Sequence, residues 1–312
     1  MTDNRKCNEH WITDRLPTRP VMVTLPLLMA VACSAHAQPA RPEMPPAKPL
    51  ERAENHLDVA YLPQRQVGAW EDRWLRMNVH VPAGGGPFPC IVFVHGGGYG
   101  GGDKDGTLYG AGPPPRELLQ RAVDEGYVAV NLNYILGRGT KPQVFWDYKT
   151  AIRFLCANAG RFKLDPGRIA AWGFSAGGWL ASTAGFSGPE DSYACPPAAQ
   201  HIDELSRQRP KGNVFLVQMD DPRAANAEFS SRVSAIVADF WQGLQYLSAD
   251  DPPMLTYVGE GSRHKHADAA REARVDFTAI ELTDPKYKGQ SSLHVPPHTA
   301  VDARVYVLVI EP

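Results

Sequence analysis

The chain has 312 residues, 43% hydrophobic and 21% charged, a composition that suits a globular protein with a substantial core. Its formal net charge is -2 and it contains no Lys/Arg run. That excludes the basic footprint of a phosphate-backbone binder, so no nucleic-acid partner is expected.

Val21 to Ala32 is mostly apolar, and Ala35-His36-Ala37 offers the small-x-small pattern that a signal peptidase accepts before Gln38. Residues 1–37 are therefore expected to form a signal peptide, and the mature protein to be secreted or periplasmic. The apolar run is short and broken by Pro26, whereas a stable membrane-spanning helix needs about 20 apolar residues, so no membrane span is expected. Two other readings stay open: a buried N-terminal helix, and a lipid anchor on Cys33, although Ala30 is small for that signal. The segment before Val21 is long for a leader and carries Asp3, Glu9 and Asp14, which points to a later start codon. Many of the 28 prolines fall between Pro39 and Pro49, and residues 38–55 read as a linker.

From residue 56 the pattern is that of one domain. His56–Leu62 and Trp74–Val81 alternate apolar and polar residues, as half-exposed antiparallel edge strands do. Phe88–Val94 is continuously apolar and predicts a buried strand ending at His95. The glycines of His95-Gly96-Gly97-Gly98-Tyr99 stop that strand and leave backbone amides unobstructed. Gly100 to Gly102 extend the loop to Asp103-Lys104-Asp105. Leu118–Glu125 predicts a helix and Tyr127–Tyr134 the next strand, a parallel crossover. Asp147–Asn158 has helical spacing, and a turn at Pro166-Gly167 leads into the strand Ile169–Trp172. A helix follows from Ala176 to about Ala184. Between Phe186 and Ser231 the pattern fades apart from Val214–Val217, which reads as a variable insertion over the site, where selectivity is set. Strands at Val233–Phe240, Met254–Val258 and Phe277–Leu282, with a helix at Ala267–Arg274, complete the domain to residue 312.

The strongest chemical signal is Gly173-Phe174-Ser175-Ala176-Gly177-Gly178, a serine between small residues where a strand turns sharply into a helix. A serine hydroxyl is a poor nucleophile unless a histidine removes its proton and a carboxylate fixes that histidine. The amides of Gly97, Gly98 and Ala176 form a candidate oxyanion hole. Ordinary tight turns would explain either motif alone, but the two occur in order at strand ends. Cys7 and Cys33 lie in the leader. Cys90, Cys156 and Cys195 show no metal spacing and define no disulfide framework, although a Cys156–Cys195 bridge is compatible with an oxidising compartment. Cys90 reads as a small core residue. His264-Lys265-His266 lacks the further ligands of a metal site and reads as solvated surface. Trp70, Trp74, Trp146 and Trp241 fit either a sugar-lined site or burial.

HGGGY at 95–99 followed by GFSAGG at 173–178, with Asp147 and Leu164-Asp165-Pro166-Gly167-Arg168 between them, resembles the α/β-hydrolase superfamily. Within it, the pair is similar to the hormone-sensitive-lipase-like and the feruloyl or acetyl esterase branches. The resemblance covers about Leu57 to Phe186. It implies a mostly parallel central sheet with helices on both faces, and a secreted serine carboxylesterase that uses no cofactor or metal. The implied substrates are short-chain acyl esters, among them acetyl or feruloyl esters of carbohydrate. The family's acid follows the next-to-last core strand as glycine, two residues, aspartate. Here Gly259-Glu260-Gly261-Ser262 breaks that pattern, leaving Glu260 as the acid and Asp268 as its rival. The family's histidine follows the last core strand, which implies His294, with His298 close behind. A second register takes Val305–Ile310 as the last strand. In that case no histidine follows, and the protein would be a truncated or inactive hydrolase-fold binding module.

Overall fold

The computed structural model describes residues 47–62, 75–106, 116–136, 143–195, 215–220, 225–238, 244–259 and 267–282. An apolar run with no polar face fits a strand covered on both sides. Phe88–Val94 is such a strand, β3, with Cys90 to Val94 all buried. Ahead of it in the chain lie β1 (Ala53–Ala60) and β2 (Arg76–Pro82), antiparallel to each other as expected, but β2 is not a half-exposed edge strand: Met77 to Pro82 are buried and its other side pairs with the strand Val128–Leu132. β3 pairs in parallel with β4 (Val128–Leu132) and with β5 (Leu164–Gly173). Beyond β5 the parallel sheet continues through β8 (Ala235–Ala238), β9 (Met254–Gly259) and β10 (Phe277–Leu282). The spatial order is β1-β2-β4-β3-β5-β8-β9-β10.

Alternate side chains of β3 serve opposite faces, the period-two consequence of a strand. Ile91 and Phe93 pack with Leu118, Leu119, Ala122 and Val123 of α1 (Arg116–Asp124). Cys90, Val92 and Val94 pack instead with α2 (Gln143–Ala157) and α3 (Ala176–Phe186), and Ala270 of α4 (Ala267–Ala273) joins that layer. Helices therefore cover both faces of a mostly parallel sheet, as the resemblance implies.

Three details depart from the sequence reading. The turn at Pro166-Gly167 is a bulge inside β5: Phe88 pairs with Leu164 and Cys90 with Ile169, so Asp165 to Arg168 loop out of the ladder. Asp165 Oδ1 holds that bulge by accepting the Gly167 N–H at 2.9 Å. The segment between Phe186 and Ser231 contains an antiparallel ribbon, detached from the main sheet, in which β6 (Ser192–Cys195) pairs with β7 (Phe215–Gln218), the strand that takes up the apolar run Val214–Val217. Cys156 is a buried free thiol, so the compatible bridge to Cys195 is not made.

α2 begins at Gln143, four residues before its predicted start, and buries polar side chains along one face. Trp146 Nε1 donates to the Gln218 carbonyl at 2.9 Å, and Lys149 Nζ to that of Ser187 at 2.6 Å. Arg153 pairs with Asp220 and donates to the Phe229 carbonyl. Spacings of three and four put these residues on one side of the helix, where they fasten the segment after α3 to the core. Burial lowers the pKa of Lys149 from 10.5 to about 8. Between those two pH values an unfolded chain keeps a proton that the folded chain has lost, so this residue's contribution to stability rises with pH. In urea titrations wild type is expected to gain about 3 kcal/mol relative to Lys149→Met between pH 8 and pH 10.5. A difference that does not vary with pH would contradict this.

Candidate active site

β3 and β5 are neighbours in register, with Val94 opposite Gly173, so the segments that follow them share one edge of the sheet. After Gly173 the chain turns through Phe174 and Ser175 into α3. Ser175 has φ 51 and ψ -118, a region costing a non-glycine residue roughly 1–3 kcal/mol. It occupies the N-cap position, yet its hydroxyl makes no capping hydrogen bond, the usual role of serine there. The turn is held by Phe174 N–H to Val94 O at 3.3 Å and Gly177 N–H to Phe174 O at 2.8 Å. Gly177 passes so close to β3 that an added Cβ would lie 2.2 Å from Val94 O and 2.5 Å from His95 O.

The loop after β3 folds back on itself. Gly97 has φ 114, and a Cβ there would meet Gly101 O at 2.1 Å. In a trans peptide the N–H points opposite to the preceding carbonyl, so engaged carbonyls reveal where the amides face. Gly96 O accepts from His95 Nδ1 at 2.7 Å, which turns the Gly97 N–H the other way. Gly97 O accepts from the Gly100 and Gly101 amides at 3.0 and 3.1 Å, which turns the Gly98 N–H out of the loop. Ser175 O accepts from Trp179 N–H at 3.0 Å within α3, so the Ala176 N–H points out of the helix N-terminus. Three amides at one sheet edge thus have their carbonyl partners directed elsewhere, and the positive end of the α3 dipole adds to them.

Two tyrosines brace this arrangement. The Tyr99 hydroxyl donates to Ala176 O at 3.0 Å, joining the glycine loop to α3, and its ring meets Trp179 edge-on at 5.3 Å. Tyr134 donates to His95 O at 2.9 Å and stacks on the His95 ring at 4.4 Å. Burial lowers the pKa of His95 to about 4, so the ring is neutral and its Nδ1–H is spent on Gly96 O. His95 is thereby built into the loop. Tyr99 belongs to the HGGGY motif, but nothing in the sequence indicated its partner, and Tyr134 carried no signal. Asp147, fully buried, accepts from the Ile135 N–H at 3.2 Å and from Gln143 Nε2 at 2.9 Å, fixing the segment beyond β4 to α2.

β9 and β10 run parallel to β5 and end at the same edge. Glu260 directly follows β9 but lies outside the described residues, as do His294, His298 and Val305–Ile310. Asp268 is an exposed residue of α4, paired with Arg271 at 2.6 Å. Trp146 is buried against the Gln218 carbonyl and belongs to the core, while Trp70, Trp74, Trp241 and His264 to His266 lie outside the described residues. Among the described residues no group of three or more His, Cys, Asp or Glu is arranged to hold a metal ion, and no helix is long and apolar enough to cross a membrane.

Comparison with known proteins bears on this geometry. Esterase LipC of Mycobacterium tuberculosis is 32% identical over 123 residues, 39% of this chain and 28% of that protein. Chlorogenic acid esterase of Aspergillus niger is 32% identical over 114 residues, 34% of this chain and 21% of that protein. The aligned parts span less than a third of these relatives. An esterase of the planctomycete Thermogutta terrifontis superposes with a TM-score of 0.54 at 17% identity, covering 84% of this chain and 95% of that one. A truncated carbohydrate esterase from gut microbiota gives 0.56 at 14% identity over 75% of this chain and 89% of that one. These structures show a shared fold. The BD-FAE family profile matches residues 77–263, which include β2 to β9, the glycine loop and the Ser175 turn. With the match extending over more than half its length, the chain belongs to the BD-FAE family of α/β-hydrolase-like esterases.

Proposed function

We propose that this protein is a serine carboxylesterase, exported under the direction of residues 1–37, that cleaves short-chain acyl esters through an acyl-enzyme. The observation that carries the reading is Ser175, held at φ 51 on the β5–α3 turn beside the outward-facing amides of Gly97, Gly98 and Ala176. In this reading Ser175 Oγ attacks the ester carbonyl and His294 takes its proton. The three amides stabilise the oxyanion, each donor contributing a few kcal/mol. Collapse expels the alcohol, protonated by His294. Water then repeats the sequence on the acyl-enzyme. Glu260 orients the histidine; Asp268 is committed to a surface pair with Arg271, which favours Glu260. In this reading β10, the last strand in sequence among the described residues, is the one that the histidine follows.

The names of the relatives favour, as substrates, esters of carbohydrate or esters whose acyl group is a phenolic acid. A structural neighbour phosphorylated by paraoxon favours an activated nucleophile of the kind assigned to Ser175. Purified protein lacking residues 1–37 is expected to hydrolyse p-nitrophenyl acetate. His294→Ala should lower kcat by roughly 10⁴-fold while His298→Ala stays within a few-fold of wild type. The opposite pattern would move the base to His298. Wild-type hydrolysis no faster than that of Ser175→Ala would contradict the esterase reading and favour a binding module on this fold.

A further inference from the structure

The loop that presents Gly97 and Gly98 ends in Asp103-Lys104-Asp105, three consecutive charged residues. The Lys104 side chain nevertheless has no exposed surface. Lysine is almost never fully buried unless paired, and here Nζ lies 2.7 Å from Asp58 Oδ1 and also holds Asp105 Oδ2. Asp105 Oδ1 in turn accepts from Asn78 Nδ2 of β2 at 2.8 Å. The Lys104 backbone is tied to β4 and its extension: its N–H donates to Asn133 Oδ1 at 2.6 Å, and its carbonyl accepts from Asn131 Nδ2 at 2.7 Å. One residue therefore fastens the end of the loop to three strands.

The backbone of β1 is distorted at the residue that reaches Lys104. His56 pairs with Val79 and Val59 with Met77, so Leu57 and Asp58 together oppose Asn78 in a bulge. Asp58 has φ 53 there, an uncommon conformation for a non-glycine residue. Asn78 Oδ1 accepts the Asp58 N–H at 2.9 Å and Arg76 Nη1 donates to its carbonyl at 2.8 Å, holding the bulge. A bulge re-aims a side chain, and this one accompanies the Asp58 carboxylate's contact with the buried ammonium. The link from Lys104 to the amides is short. Gly102 packs so tightly that a Cβ there would lie 2.5 Å from Gly96 O and 2.6 Å from His95 Nδ1. Anchoring residues 103–105 thus presses Gly102 against the peptide that carries the Gly97 N–H.

We infer that Lys104, clamped between bulged Asp58 and Asp105, is a positioning residue that holds the oxyanion loop in its catalytic geometry. The catalytic half of this inference rests on the esterase reading; the structural half rests on the loop alone. Lys104→Met in the full-length protein removes the ammonium while keeping most of the stem, and Asp58→Asn is the milder second variant should the first not fold. Two readouts apply: amide hydrogen exchange, and kcat and KM for p-nitrophenyl acetate. Exchange across Gly96–Gly102 is expected to speed up about tenfold while β4 and β5 stay unchanged. kcat should fall by about 10- to 100-fold with KM within about twofold, since misplaced donors act on the transition state. Unchanged loop exchange in a folded variant overturns the clamp, as does a gain in exchange spread evenly over the domain. Selective loop exchange with kcat unchanged overturns the catalytic role. Selective loop exchange in a protein whose wild type cleaves no ester leaves the clamp standing and removes the esterase reading instead.

Discussion

Ser175→Ala is expected to lower kcat for p-nitrophenyl acetate by roughly 10⁴-fold or more, leaving only the contribution of the oxyanion amides and of binding. The substitution should leave the fold intact. Serine and alanine have the same Cβ, so the strain at φ 51 is unchanged, and the serine hydroxyl does not cap α3. A loss of activity accompanied by a falling melting temperature would point to a structural role. Loss at constant stability assigns the hydroxyl to chemistry.

The second large effect is on stability, at Gly177. An alanine Cβ would lie 2.2 Å from Val94 O and 2.5 Å from His95 O, and both atoms are backbone at the end of the central strand β3. Neither can retreat without disturbing the Phe174 N–H to Val94 O bond that holds the turn or the Tyr134 hydroxyl bond to His95 O that holds the loop. Gly177→Ala is therefore expected to destabilise the domain by about 4 kcal/mol, a fall in Tm of about 10 °C. Gly160→Ala is the control, because a Cβ there meets nothing within 4 Å. A Gly177→Ala protein that melts within about 2 °C of wild type would show that α3 does not pack on β3 as described.

Some of this was legible because a single physical requirement leaves its mark on adjacent residues. β3 follows the predicted Phe88–Val94 residue for residue, since a strand covered on both faces demands continuous apolarity. β10 also keeps its predicted bounds, Phe277–Leu282. The Ser175 turn was legible because close packing of a helix start on a strand leaves small residues around the serine. The start of α2 was not, because Gln143 to Trp146 are all buried and so carry no amphipathic pattern to mark a helix. The β6–β7 ribbon escaped for a similar reason: Ser192–Cys195 carries no pattern of its own and becomes a strand by pairing with Phe215–Gln218. The burial of Lys104 carried no signal, because the carboxylates that meet its ammonium include Asp58, 46 residues earlier in the chain on the bulged β1. The acid and base of the site were the least legible, because a loop residue after a strand is marked by chain order alone. Glu260 and His294 accordingly stand as proposals.

The central claim is that Ser175 is an activated nucleophile. Its most direct test is incubation of the purified protein with a fluorophosphonate, followed by intact-mass measurement and peptide mapping. One phosphonyl adduct per chain on the peptide containing Ser175, absent from Ser175→Ala and formed in step with loss of ester hydrolysis, is the predicted result. A folded wild-type protein that gains no adduct, or an adduct that persists in Ser175→Ala, would contradict it.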